Sequence, residues 1–163
     1  LGDISISNLR AKNAGGTGCS ITGLPGNQVN NISLSNIDIM SVGGGKLEDI
    51  TKTVEEKAVN YPESTMFGDL PSYGFYIRHA SNITLNNIRL STITKHFRPA
   101  LFLEDVCDGN FNSLQLERNH ESAVSIFIRE SRDIVIDDYL SQKKTDSFIK
   151  LDGKNNSGIS ISK

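Results

Sequence analysis

Few side chains in this sequence keep the company that bond-breaking chemistry needs. The histidines His79, His96 and His120 stand far apart, and so do the cysteines Cys19 and Cys107. No Cys/His spacing reads as a metal site, and no cofactor is expected. The cysteines read as two buried free thiols rather than a bridge. Acid–base hydrolysis would need paired carboxylates. Asp137-Asp138 is the only Asp-Asp pair, and it reads as a surface pair at a turn. A different set recurs at two alternate positions of a repeated strand phrase: Thr22, Tyr76, Arg78, Phe102, Glu104, Phe127, Arg129 and Lys150. With the apolar residues of that phrase turned inward, this set points outward. Guanidinium and ammonium groups suit carboxylate-bearing sugars, and Tyr or Phe rings can pack on sugar rings. The competing reading is an ordinary charge ladder of Arg78, Glu104 and Arg129 between neighbouring coils.

The elements that must position these residues announce themselves by repetition. One phrase reads Asp3-Ile4-Ser5-Ile6-Ser7-Asn8-Leu9, then Asn31-Ile32-Ser33-Leu34-Ser35-Asn36-Ile37, then Asn82-Ile83-Thr84-Leu85-Asn86-Asn87-Ile88. Weaker copies lie at 110–116, 133–137 and 158–162. A second phrase interleaves with it at 18–22, 74–78, 100–104, 123–129 and 147–151. Adjacent copies fall about 23 to 28 residues apart, the range of repeat architectures. Each phrase alternates apolar and polar residues, as a half-buried strand does. No helical segment recurs, which argues against leucine-rich repeats. One coil of short strands cannot bury its inner face alone, whereas stacked coils bury Ile on Ile and Leu on Leu. The flanking Asn residues suit corners, because Asn tolerates the left-handed region and can hydrogen-bond along a ladder. The same logic assigns the glycosylation-like tripeptides at Asn31, Asn82 and Asn155 to corners. The predicted fold is all-β: a right-handed parallel β-helix of about five to six coils in a single domain over 1–163.

One interval breaks the period. Residues 43–70 read as an excursion from one coil, opening with Gly43-Gly44-Gly45 and closing with Met66-Phe67-Gly68-Asp69-Leu70-Pro71. A short helix is expected within 46–59, with Thr53-Val54-Glu55-Glu56 as its capping signal. Long insertions in solenoids map to loops on one face, often the binding face. Tyr61 and Glu63 on this loop therefore join Tyr76, Arg78, Glu104 and Arg129 as candidate binding residues.

The run Gly23-Leu24-Pro25-Gly26, Gly43-Gly44-Gly45, Tyr61-Pro62-Glu63, Met66-Phe67-Gly68, Leu70-Pro71, Tyr73-Gly74-Phe75-Tyr76-Ile77-Arg78-His79, Arg98-Pro99-Ala100 and Glu104-Asp105-Val106 resembles, in order and rough spacing, family 28 glycoside hydrolases. The resemblance covers about residues 14 to 110; the remainder shares only the repeat. It implies a polygalacturonase-like protein acting on pectic, galacturonate-containing polysaccharide and oligogalacturonides by inverting hydrolysis without a metal. It also implies a secreted or periplasmic location. That family draws its catalytic groups from Asn-Thr-Asp, Asp-Asp and Gly-His-Gly phrases and its carboxylate grip from Arg-Ile-Lys, all N-terminal to the phrases matched here. The Asn-Thr-Asp, Gly-His-Gly and Arg-Ile-Lys phrases have no counterpart in this sequence, and the one Asp-Asp pair, Asp137-Asp138, falls in a late coil without those partners, so no catalytic residue is carried over. The reading is of a C-terminal portion whose carboxylates lie upstream.

Composition narrows the alternatives. A formal net charge of -2 and a pI near 5.9 give no basic face for nucleic acid. With 37% hydrophobic and 22% charged residues the chain is neither disordered nor membrane-embedded. No apolar run approaches the roughly 20 residues of a spanning helix. A stand-alone, non-catalytic β-helix module that binds acidic polysaccharide or serves an assembly role is the second reading. A Ca²⁺-dependent lyase is disfavoured because the acidic residues are scattered. A solenoid with an uncapped apolar end is also expected to associate end to end.

Overall fold

The computed structural model describes residues 1–61, 63, 65–117, 124–141 and 149–162. His120, Ala123, Ser147, Phe148 and Pro62, which the sequence reading invoked, lie outside the described residues. The architecture is a parallel β-solenoid of six coils. The strands are β1 (Gly2–Ala14), β2 (Cys19–Thr22), β3 (Val29–Ser41), β4 (Phe75–Thr92), β5 (Leu101–Leu116), β6 (Ile126–Arg129), β7 (Arg132–Ser141), β8 (Ile149–Asp152) and β9 (Ser157–Ile161). Every ladder between them is parallel. The path β1-β3-β4-β5 continues as β6-β8 on one face and as β7-β9 on another, and β2 pairs with β4.

The repeat phrase fixes the register. Ile4, Ile32, Ile83, Gly109, Ile134 and Ile159 stack in one inward column, and Ile6, Leu34, Leu85, Phe111, Ile136 and Ile161 in the next. Gly109 interrupts the isoleucine column for a packing reason. A Cβ there would lie 2.6 Å from the Phe111 ring and 2.8 Å from Ile134 Cδ1, so Phe111 fills the space that an isoleucine would take. The middle coils are sealed: Ile83, Leu85, Ile88, Phe111, Ile134 and Ile136 are wholly buried. Burying such side chains is worth roughly 1.5–3 kcal/mol each.

Corners are made by residues in the left-handed region. Asp3, Asn31, Asn82, Asp108 and Asp133 form one corner column, with φ between 52° and 58°, and Gly158 continues it at 62°. Asn8, Asn36, Asn87, Ser113 and Asp138 form a second. Asn and Asp visit this region most readily among residues with a Cβ. Their side chains also link coils: Asn31 donates to Asp3 and Asn82 to Asn31, both at 2.8 Å, while Asn36 donates to Asn8 at 3.0 Å and Asn87 to Asn36 at 2.8 Å. The tripeptides at Asn31 and Asn82 are therefore corner residues with engaged amides. A third corner column, which the phrases did not reveal, is carried by His79, Asp105 and Glu130.

The excursion leaves after Ser41 and returns at Phe75. Its helix differs from the expected one. A single 3-10 turn spans Leu47–Thr51, and its start is fixed by the Asp49 carboxylate accepting from the Lys46 amide at 2.7 Å. Thr53 caps nothing, because the chain after Thr51 runs extended to bury Val54 against the solenoid. Cys19 and Cys107 are both free, as expected, but only Cys107 is fully buried and Cys19 is half-buried; burial pushes both thiols up. No helix among the described residues is long and apolar enough to cross a membrane.

Candidate functional site

The outward set converges on one sheet face. Register places Tyr76, Phe102, Phe127 and Lys150 in one row and Arg78, Glu104, Arg129 and Asp152 in the row beside it. The first row is an aromatic stack. Tyr76 meets Phe102 edge-on at 5.7 Å, Phe102 lies flat on Phe127 at 4.5 Å, and Lys150 Nζ sits 5.2 Å over the Phe127 ring. The Arg129 guanidinium lies 5.2 Å from the Phe102 centroid and 5.4 Å from that of Phe127. These are cation–π distances, which hold the cationic heads over the stack.

This face is roofed at its N-terminal end. Val54 and Leu70 of the excursion, with Ile50 and Phe67 at the edge, pack on Tyr76, Phe102 and Phe127 as a second core. Tyr76 and Arg78 point away from the solenoid interior, as expected, yet both are buried beneath the loop. Arg78 donates to the Val54 carbonyl at 2.6 Å and the Glu55 carbonyl at 3.3 Å, and pairs with Glu56 at 3.2 Å. Its guanidinium is spent on docking the loop. His79 adds a second clamp, with Nδ1 2.6 Å from Asp105 and Nε2 3.2 Å from Glu56. Burial, followed by the bond to Glu104, pushes the Tyr76 phenol up, so this phenol stays protonated and donates to the Glu104 carboxylate.

Beyond the loop the row opens. Arg129 Nε contacts Asp152 at 2.9 Å and Nη1 contacts Glu104 at 3.4 Å, which leaves Nη2 unengaged by the described residues. Lys150 is exposed, and Glu104, Arg129 and Asp152 are partly so. The charge ladder and the outward row are thus one object. The candidates Glu104 and Arg129 stand together on it, and Arg78 does not reach the solvent. Tyr61 is exposed on the excursion. Glu63 lies elsewhere, beside Met66 and Phe67 at the rim of an apolar mouth of about 560 Å³ bounded by Ile4, Ile6, Leu9 and β2. Sequence reasoning missed Asp152, whose place is visible only once β8 is in register.

The Asp137-Asp138 pair sits at a corner as anticipated. Asp137 accepts from the Ser162 hydroxyl, and Asp138 from that of Ser113 at 2.9 Å. No group of three or more His, Cys, Asp or Glu residues among those described could hold a metal ion. Comparisons with family models, with curated proteins and with solved structures found no match to this chain.

Proposed function

We propose that the chain is the C-terminal β-solenoid portion of a polygalacturonase-like glycoside hydrolase of exported, pectin-degrading type. Its role is to hold galacturonate-containing polysaccharide along the row Glu104–Arg129–Asp152 with Lys150, while coils stacked before β1 supply the inverting acid and base. The observation that carries the reading is a pair of cations, the half-buried Arg129 and the exposed Lys150, held over the stacked and buried Phe102 and Phe127 rings. Arg129 Nη2 and Lys150 Nζ can donate to a sugar carboxylate, and the strand repeat sets the two residues on adjacent coils. A further feature supports the reading: the phrases of the family resemblance coincide with the joints of the excursion.

Inverting hydrolysis needs an acid and a base roughly 6.5–9.5 Å apart with room for a water. The carboxylates on the row do not serve: Glu104 is taken by Tyr76 and Arg129, and Asp152 by Arg129. The test is an oligogalacturonide binding isotherm for the wild type and for an Arg129→Ala, Lys150→Ala double variant. Loss of two charge-assisted contacts should weaken binding by about 100-fold. Equal affinity in both proteins would remove the basis for the reading.

A further inference from the structure

A second polar cleft lies at the root of the excursion, away from the cationic row. It has a volume of about 250 Å³ and is walled by Gly16, the Gly43–Gly45 run, Lys46, Asp49, Asp69 and Arg98. Three separate stretches of chain meet around Arg98, which is 2% exposed. Its guanidinium donates to the carbonyls of Gly16, Thr17 and Leu70. Nε is shielded from solvent and has no partner among the described residues. It presses on Gly45, where a Cβ would come within 2.0 Å, so only glycine at 45 lets Arg98 stand at the back of the cleft. Across the opening, the charges of Asp49 and Asp69 act on Arg98 and counter the effect of its burial. Gly44 at φ 90° has open space above its Cα, so a ligand can approach bare backbone.

The chemistry of the walls selects the occupant. A simple anion would face Asp49 and Asp69, and a simple cation would face Arg98 and Lys46. An apolar molecule would find no aliphatic or aromatic wall. What fits alternating donors and acceptors is a group that is both at once, and a hydroxyl is that group. Adjacent hydroxyls on one ring can donate to the Asp49 and Asp69 carboxylates and accept from the exposed Lys46 ammonium together, with the buried Arg98 charge behind them. We propose that this cleft binds one neutral sugar residue, a hexopyranose, through its vicinal hydroxyls. The proposal goes beyond the row of Arg129 and Lys150, for which a carboxylate-bearing sugar is proposed.

The experiment titrates the chain with D-galactose, D-galacturonate and sodium sulfate, following the backbone amides of 43–46 and 69 by ¹⁵N NMR. Saturable shifts with galactose, weakened about tenfold by Asp69→Asn, are expected, since a lost bond to a charged group is worth about that factor. Asp69 is exposed, and an unchanged far-UV spectrum checks the variant's fold. No saturation with galactose, equal affinity in Asp69→Asn, or saturation by sulfate in its place would overturn the proposal. Oligogalacturonide binding at the cationic row is read in its own titration, so either site can fail while the other stands.

Discussion

His96 is wholly buried against the edge of the Tyr73 ring at 4.2 Å, and neither of its ring nitrogens has a partner among the described residues. Burial, and then the nearby Arg98 charge, push it down from 6.5 to about 4. The unfolded chain takes up this proton near 6.5 and the folded chain only near 4, so between those values the unfolded state holds more protons. Stability supported by the neutral ring is present above about pH 6.5 and is lost as pH falls toward 4, by up to about 3 kcal/mol. His96→Phe should remove that acid-side loss and hold or raise stability at pH 7, because it also removes two unsatisfied nitrogens. Urea unfolding at pH 7 and pH 4.5 checks this; an unchanged pH slope in the variant would count against it. Residues were unequally legible. Asn31, Asn36, Asn82 and Asn87 could be read as corners because one residue type carries both the left-handed backbone and the ladder bond. Arg98 and His96 could not, since their surroundings are assembled from segments far apart in sequence. Arg98 alone reaches back more than eighty residues to the Gly16 carbonyl.

At the scale of elements, the excursion decides what the sheet face can do. Its limits were legible from the jump in period: the ladder partners Asn31 and Asn82 are 51 residues apart, against 28 for Asp3 and Asn31. Its fold was not. The phrase 53–56 looks like a helix start, but Val54 gains more from the second core, and its carbonyl meets Arg78. The same contact explains why Arg78, outward by alternation, is closed to ligand: alternation tells which side of the sheet a side chain takes, not what is folded over it. Arg78→Met should free the loop while leaving the coils intact, since hydrogen bonds from a charged group contribute about 1.5–3 kcal/mol each. Limited proteolysis between 46 and 70 should quicken at least about tenfold, with the β signature in circular dichroism unchanged. A cutting rate equal to wild type would show that Arg78 is not what holds the loop.

The whole molecule is a stack whose interior is sealed in the middle and open at the N-terminal mouth. Ile83, Leu85, Ile88, Phe111, Ile134 and Ile136 are fully buried, whereas Ile6, Leu9, Leu151 and Ile161 near the two ends are exposed. This gradient follows from nearest-neighbour packing, in which a coil is buried only by the coils beside it. The architecture was legible for the same reason: a repeat that must pair with itself states its register in the spacing. The surface row was only half legible. The repeat gave its positions, while the pairing of Arg129 with both Glu104 and Asp152 depends on side-chain reach across coils. The most direct measurement is a ¹⁵N NMR titration of the chain with oligogalacturonide, mapping shifts residue by residue. Saturable shifts grouped at 102–104, 127–129 and 150–152, screened by salt as an ionic contact should be, are the expected result. Shifts grouped elsewhere, or none at all, would contradict the proposal that the row of Arg129 and Lys150 holds the polysaccharide.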